Sequence, residues 1–288
     1  MNLDLEPDEI GTLPETATSR PSSRLSAPRP GEPLSTVEVE DHLASLLSPR
    51  SYEADQYRVL RQFLAEARAA RPLKMLAVTS PAAGDGKTTT SINLAATLAQ
   101  TPGSRVLLVD TDLRRPFVAA NLGLVATGPG LAEAAVDERL DLSDVVQSTP
   151  YNLSVLPAGV PPANPYQALE SARVGQLLEQ ASAAYEYVVL DTPPVLLVPD
   201  CKLMSQWIDG FLLVVAAHRT PRKLLGEALS TLDEGKLLGI VFNGDDRPMS
   251  GYYGKYYGGY YHEQSAREPG GWRPSWKRDR KHRRQPWR

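Results

Sequence analysis

Lys74-Met-Leu-Ala-Val-Thr79 runs without interruption into Ser80-Pro-Ala-Ala-Gly84-Asp85-Gly86-Lys87-Thr88-Thr89, and Thr88–Leu98 continues with helical spacing. A buried strand, a glycine-containing loop and a helix in that order form a cradle for phosphate. The N–H groups of the loop converge on the anion, and the helix dipole favours its negative charge. Gly84 and Gly86 allow close backbone approach, and Asp85 and Thr89 complete the binding segment. Lys87 is placed for the β- and γ-phosphates of a nucleotide, and the Thr88 hydroxyl for Mg²⁺. The general GxxxxGK[ST] pattern has glycine where this chain has Pro81, so the loop alone also fits a turn in an unrelated α/β protein.

Two acidic motifs extend the case. Val106-Leu-Leu-Val-Asp110-Thr-Asp112-Leu-Arg-Arg115-Pro116 and Val188-Val-Leu-Asp191-Thr-Pro-Pro194 each place carboxylates at the end of an apolar strand. In open α/β sheets that is the ligand-binding edge. One such Asp by itself reads as a helix cap. Three beside a phosphate loop read as a metal and proton-transfer set.

Strands are expected at Lys74–Thr79, Arg105–Asp110, Leu153–Leu156, Tyr187–Asp191, Gly210–Ala216 and Leu238–Asn243. Helices are expected after Pro49 (Tyr57, Leu60 and Leu64 at helical spacing), at Thr88–Leu98, around Gln167–Gln180 and at Pro221–Asp233. Apolar strands alternating with helices imply an α/β fold: a mostly parallel sheet with helices on both faces. One domain is expected over 49–245. Residues 1–48, rich in Pro, Ser, Thr and Glu, read as a disordered segment.

The chain has 288 residues, 42% hydrophobic and 23% charged, which is ordinary for a globular protein. No apolar run reaches the roughly 18–20 residues of a membrane span, and the acidic start MNLDLEPDEI lacks a signal-peptide pattern. A single cysteine, Cys201, cannot form an intramolecular disulfide; it reads as a buried small residue and suits a reducing compartment. The expectation is a soluble cytosolic protein. The net charge of −3 conceals an acidic body of −10 and a tail, Arg267–Arg288, of +7 with nine Lys/Arg and two Asp/Glu. Trp272, Trp276 and Trp287 lie in the region 265–288. That composition suits an anionic membrane surface, nucleic acid, an acidic partner or plain solubilisation.

Between body and basic tail, residues 246–264 hold GYYGKYYGGYYH. Tyr252, Tyr253, Tyr256, Tyr257, Tyr260 and Tyr261 make up six of the chain's 12 tyrosines. Interleaved glycines exclude a regular core strand and suit a flexible tail. Alone, the segment reads as a sticky or base-stacking tail; beside an ATP site it reads as a phosphorylation substrate.

Taken together, these motifs resemble the bacterial tyrosine kinases of capsular and exopolysaccharide systems, over about residues 50–262. The Lys87 loop is similar to their Walker A, Asp110–Pro116 to their Walker A′, and Leu190–Pro194 to their Walker B. Tyr151–Gly159, Asn164-Pro165 and Val241-Phe-Asn243 resemble further family segments. The resemblance implies a P-loop NTPase of the deviant-Walker, MinD-like branch that uses ATP and Mg²⁺ for tyrosine autophosphorylation and so controls polysaccharide polymerisation and export. It implies Lys87 and Thr88 on phosphate and Mg²⁺, Asp112 and Asp191 on the metal, Asp110 on the tyrosine hydroxyl, and Asn243 on adenine.

The family's Glu-x-x-Arg-x-x-Arg assembly motif aligns with Asp55, Arg58 and Arg61, with the shorter Asp in place of Glu, one stripe on a helix that also reads as an ordinary solvated charged face. This implies a homo-oligomer, in family members a ring. A separate transmembrane activator of the polysaccharide co-polymerase type and a cognate tyrosine phosphatase are implied as partners, with peripheral association at the inner membrane face. Partitioning ATPases of the MinD/ParA type carry an early loop lysine where this chain has Ala82. A spatial-organising ATPase and a non-catalytic nucleotide-binding scaffold are the alternatives.

Overall fold

The computed structural model describes residues 39–124 and 128–245. The tyrosine segment and the basic tail therefore lie outside the described residues. The chain order is α1 (Ala44–Leu47), α2 (Tyr52–Ala70), β1 (Met75–Thr79), α3 (Lys87–Ala99) and β2 (Val106–Asp110). Short helices α4 (Val118–Asn121), α5 (Leu131–Ala134) and α6 (Leu142–Val145) lead to β3 (Gln147–Ser148) and β4 (Ser154–Leu156). Then come α7 (Pro165–Glu170), α8 (Ala172–Ala184), β5 (Tyr187–Asp191), α9 (Asp200–Met204), β6 (Gly210–Ala216), α10 (Arg222–Thr231) and β7 (Leu237–Asn243).

The strands form one sheet in the order β3-β4-β2-β5-β1-β6-β7, parallel except for β3. Because successive side chains of a strand point to opposite faces, the core splits in two. Leu76, Val78, Leu108, Val189, Leu212 and Val214 pack toward Leu64 of α2 and Ile92 and Leu98 of α3. Ala77, Leu107, Val109, Leu190 and Leu213 pack on the other face with Val174, Leu177 and Leu178 of α8 and Met204 of α9. Both faces are covered, as the unbroken apolar strands imply.

Local chemistry sets the helix ends. The Ser51 side chain caps α2 by accepting from the Ala54 N–H, and the helix stops at Arg71, whose backbone is extended ahead of Pro72. The helix expected around Gln167–Gln180 is two helices. Asn164 caps α7, with Pro165 in its first turn, and Ser171 ends it while capping α8 through the Val174 N–H. The antiparallel β3 and the short helices carry too few residues to show a period.

One boundary moves. The segment expected to be disordered extends to residue 48, yet α1 lies within it and Leu43 is 0% exposed. Ser45 N donates to Asn93 Oδ1 of α3 at 2.8 Å, and Thr97 Oγ1 donates to the Ser45 hydroxyl at 3.0 Å. A short stretch with only a few apolar residues is held because Leu43 joins the core cluster that α3 lines and Ser45 bonds to α3. Accordingly, Leu43→Ala is expected to cost about 2–5 kcal/mol in chemical denaturation, the usual range for emptying a buried leucine site. An unchanged denaturation midpoint would remove this segment from the core.

Candidate active site

The parallel arrangement brings the carboxyl ends of β1, β2 and β5 to one edge. Asp110 pairs in register with Asp191 across β2 and β5, and Val78 with Asp191 across β1 and β5. The phosphate loop leaves β1 immediately beyond. Gly84 and Gly86 have φ of 85° and 94°, in the left-handed region that glycine tolerates. A Cβ on Gly86 would stand 1.8 Å from Asn243 Nδ2. Pro81, which departs from the glycine pattern, has no N–H to offer. The turn is instead closed by Asp85, whose carboxylate accepts from Ala82 N at 3.0 Å and from Thr220 Oγ1 at 2.7 Å. Asn243, at the end of β7, donates to the Asp85 carbonyl at 3.0 Å, so the residue expected near adenine sits on the loop.

At the start of α3, Lys87 Nζ lies 3.0 Å from Asp112 Oδ2 and 3.5 Å from Asp191 Oδ2. Thr88 Oγ1 donates to Asp191 Oδ2 at 2.7 Å, and Ser91 Oγ to Asp191 Oδ1 at 2.9 Å. Asp110 accepts from Val118 N and Asp112 N, both at 3.1 Å. Burial, reinforced by the Asp191 charge and only partly offset by the Val118 N–H and Lys87, pushes the Asp110 carboxyl up to about 8. Asp191 is also raised by burial, against the pull of Lys87, Thr88 and Ser91. Burial disfavours the Lys87 charge, but Asp191 and Asp112 outweigh it and hold the ammonium above its ordinary value.

The arrangement fits Mg-nucleotide. Positive-φ glycines, a helix N-terminus and a lysine make an anion cradle. Thr88, Asp112 and Asp191 supply hard oxygens beside it. Among the described residues no group of three or more His, Cys, Asp or Glu could form a closed metal cage. Mg²⁺ in phosphate sites commonly uses one or two carboxylates plus the phosphates themselves.

Lys87, Thr88, Asp85, Gly84, Gly86, Asp110, Asp112, Asp191 and Asn243 thus converge, with Thr89 in the first turn of α3. Asp55, Arg58 and Arg61 stand apart on α2. Arg58 is ion-paired with Asp55 and also donates to the Pro49 carbonyl, and Arg61 donates to the Thr97 carbonyl at 3.2 Å. The sequence reading missed Ser91, Thr220 and the pair Arg114–Asp200. In that pair Arg114 donates from Nε and Nη2, each at 3.2 Å, to an aspartate that is 0% exposed. Only Ser91 had a local signal, four residues beyond Lys87 on the same helix face. Cys201 is buried against Thr79 and Thr192, and burial pushes its thiol up.

Residues 73–213 match the AAA domain family. Tyrosine-protein kinase YwqD of Bacillus subtilis (strain 168) is 35% identical over 223 residues, 76% of this chain and 92% of that protein. The chain belongs to the bacterial tyrosine-protein kinase family. The kinase also matches the succinoglycan biosynthesis transport protein ExoP of Rhizobium meliloti (strain 1021), 30% identical over 77% of this chain but only 30% of ExoP. Among solved structures, the kinase domain of Escherichia coli tyrosine kinase ETK superposes with a TM-score of 0.68 at 28% identity, covering 76% of this kinase and 86% of that chain. Its fold is therefore that of a P-loop NTPase with the deviant Walker motifs.

The raised Asp110 has a consequence for the ligand-free protein. Its folded pKa of about 8 lies above the ordinary 3.8. Its contribution to stability is complete below about pH 4 and is lost as pH rises toward 8. Thermal unfolding of ligand-free wild type should show that decline between pH 5 and 8, superimposed on the other groups' titration. Asp110→Asn should flatten it; an identical pH profile for the two proteins would contradict the assignment.

Proposed function

We propose that this kinase is an ATP-dependent protein-tyrosine autokinase that transfers phosphate to Tyr252, Tyr253, Tyr256, Tyr257, Tyr260 and Tyr261. The observation that carries the proposal is Lys87, bridged to Asp112 and Asp191 at the N-terminus of α3. Lys87 would hold the β- and γ-phosphates of ATP, with Gly84, Asp85, Gly86, Thr88 and Thr89 around them and Asn243 toward the adenine. Thr88, Asp112 and Asp191 would hold Mg²⁺, which when bound neutralises charge on the phosphates.

In the transfer, a tyrosine phenol oxygen bonds to the γ-phosphorus as the bond to the β–γ bridging oxygen breaks. The bridging oxygen keeps the electron pair and leaves as part of ADP. The phenol proton passes to Asp110 in its ionised form, the form in which a carboxyl can act as a base. A phenol titrates near 10, so positioning and charge neutralisation contribute more than base strength.

Residues 246–264 serve as the substrate segment in this reading, and 265–288 as a basic tail suited to an anionic membrane surface. The match to ExoP supports a role in polysaccharide polymerisation and export. No helix among the described residues is long and apolar enough to cross a membrane. We assign the transmembrane activator to a co-polymerase-type partner, with the kinase at the cytoplasmic face beside it. Asp55, Arg58 and Arg61 support a homo-oligomer in which one copy's tyrosines reach another copy's site; a tyrosine phosphatase would reset the cycle.

Lys87→Met is expected to abolish phosphotyrosine, read by mass spectrometry after incubation with Mg-ATP. It should also lower thermal stability, because Asp112 and Asp191 lose their counter-charge. Phosphotyrosine persisting in the purified variant would refute the site. Asp112→Asn should weaken Mg²⁺ dependence more than Asp110→Asn, whereas both should suppress transfer. Identical Mg²⁺ titrations for the two would reject the division of roles.

A further inference from the structure

The first two residues of α9 reach three strand ends at once. Asp200, fully buried, receives Arg114 in a two-point contact, Nε to Oδ2 and Nη2 to Oδ1, each at 3.2 Å. Arg114 stands two residues beyond Asp112 on the loop that leaves β2. Cys201, the next residue of α9, places its Sγ 3.3 Å from Thr192 Oγ1, 3.4 Å from the Pro193 carbonyl and 3.5 Å from Thr79 Oγ1. Thr192 and Pro193 follow Asp191 directly, and Thr79 ends β1 just ahead of the phosphate loop. The start of α9 is therefore a bracket across the loops that carry Asp112 and Asp191.

As a source of stability the Arg114–Asp200 pair is a poor device. Taking two charges out of water offsets most of their attraction, and apolar side chains of similar volume commonly hold a fold as well. What a forked guanidinium on a carboxylate supplies, and apolar packing does not, is a fixed distance and orientation. In the ligand-free site that constraint is redundant, because Lys87 bridges Asp112 and Asp191 with its own charge. It stops being redundant when Lys87 turns to the phosphates of a nucleotide, since the two acids then repel each other. Thr111 donates from its N–H and its hydroxyl to the Asp191 carbonyl, at 2.9 and 2.8 Å, and so fixes the near side of Asp112. Arg114 fixes the far side.

We propose that Arg114, acting through Asp200, is a positioning residue that sets the separation of Asp112 and Asp191 and thereby the affinity of the nucleotide-loaded site for Mg²⁺. In this assignment Arg114 touches neither metal nor phosphate; its Nε and Nη2 are committed to Asp200. The inference rests on the Mg-nucleotide reading of the site, and the test separates the two.

Binding is measured rather than turnover alone. The probe is the fluorescent nucleotide N-methylanthraniloyl-ADP, titrated into the full chain in EDTA and again in Mg²⁺. The ratio of the two affinities is the tightening due to the metal. Arg114→Lys keeps a positive charge beside Asp200 but loses the fork, and Asp200→Asn keeps the volume but loses the buried charge, so both should fold. Each should cut the Mg²⁺ tightening about tenfold, the scale on which outer-shell partners act. Affinity in EDTA should stay within about twofold of wild type. The double variant should lose no more than either single, because all three remove one contact. With Mg-ATP, the transfer rate of Arg114→Lys should recover to that of wild type as Mg²⁺ is raised to saturation. Arg68→Met, which breaks the ion pair with Glu186 at the opposite end of β5 from Asp191, should leave the tightening unchanged.

Unchanged tightening in both single variants would overturn the proposal. So would an equal loss of affinity in EDTA and in Mg²⁺, which is what a merely structural pair gives. A wild type with the same affinity in both conditions would take down the bracket and the Mg-nucleotide reading together. A wild type that tightens with Mg²⁺ yet gains no phosphotyrosine from Mg-ATP would sink the kinase proposal alone.

Discussion

The ammonium of Lys87, 3.0 Å from Asp112 and 3.5 Å from Asp191, holds together a group of acids that would otherwise repel one another. Asp110, Asp112 and Asp191 are all nearly or fully inaccessible to water, and Asp110 and Asp191 belong to directly paired strands. Like charges at such separations are costly in a poorly hydrated site. The protein meets the cost by several means. Lys87 supplies a counter-charge, Thr88 and Ser91 donate to Asp191, backbone amides donate to Asp110, and the Asp110 carboxyl rises to about 8.

The sheet is what makes that cluster obligatory. With β5 between β1 and β2, the phosphate loop, the Asp110–Asp112 turn and Asp191 leave adjacent strands at one edge. Their side chains cannot separate without breaking the ladder. Packing on both faces then holds the ladder: α3 is buried along nearly its whole length beneath the loop that precedes it. The position of Lys87 is thus inherited from the core. More distant contacts finish the site, with Thr220 closing on Asp85, Asn243 on the loop carbonyl, and Arg114 reaching the buried Asp200.

Much of this was legible in the chain. Unbroken apolar runs marked the long parallel strands. The glycine-lysine-threonine loop and the strand-end aspartates named the site, because phosphate and metal chemistry impose particular residues at short spacings. The assembly stripe was legible only as a spacing. In the fold, Arg58 and Arg61 already make contacts within their own subunit. The order expected to begin at residue 49 begins earlier because Leu43 and Ser45 meet α3, about fifty residues downstream.

By itself, the sequence determined the strand-loop-helix unit, the alternation of elements and the identity of the phosphate and carboxylate residues, since each rests on contacts among near neighbours in the chain. Only the tertiary structure decided which distant residues share the site. Thr220 meets Asp85 across 135 positions, Asn243 meets it across 158, and Arg114 meets Asp200 across 86. It likewise decided that Asp110, Asp191 and the phosphate loop share one edge, because that follows from the order in which strands pair. Strand order depends on how the two faces of the sheet are packed, a property of the whole core that no local pattern carries.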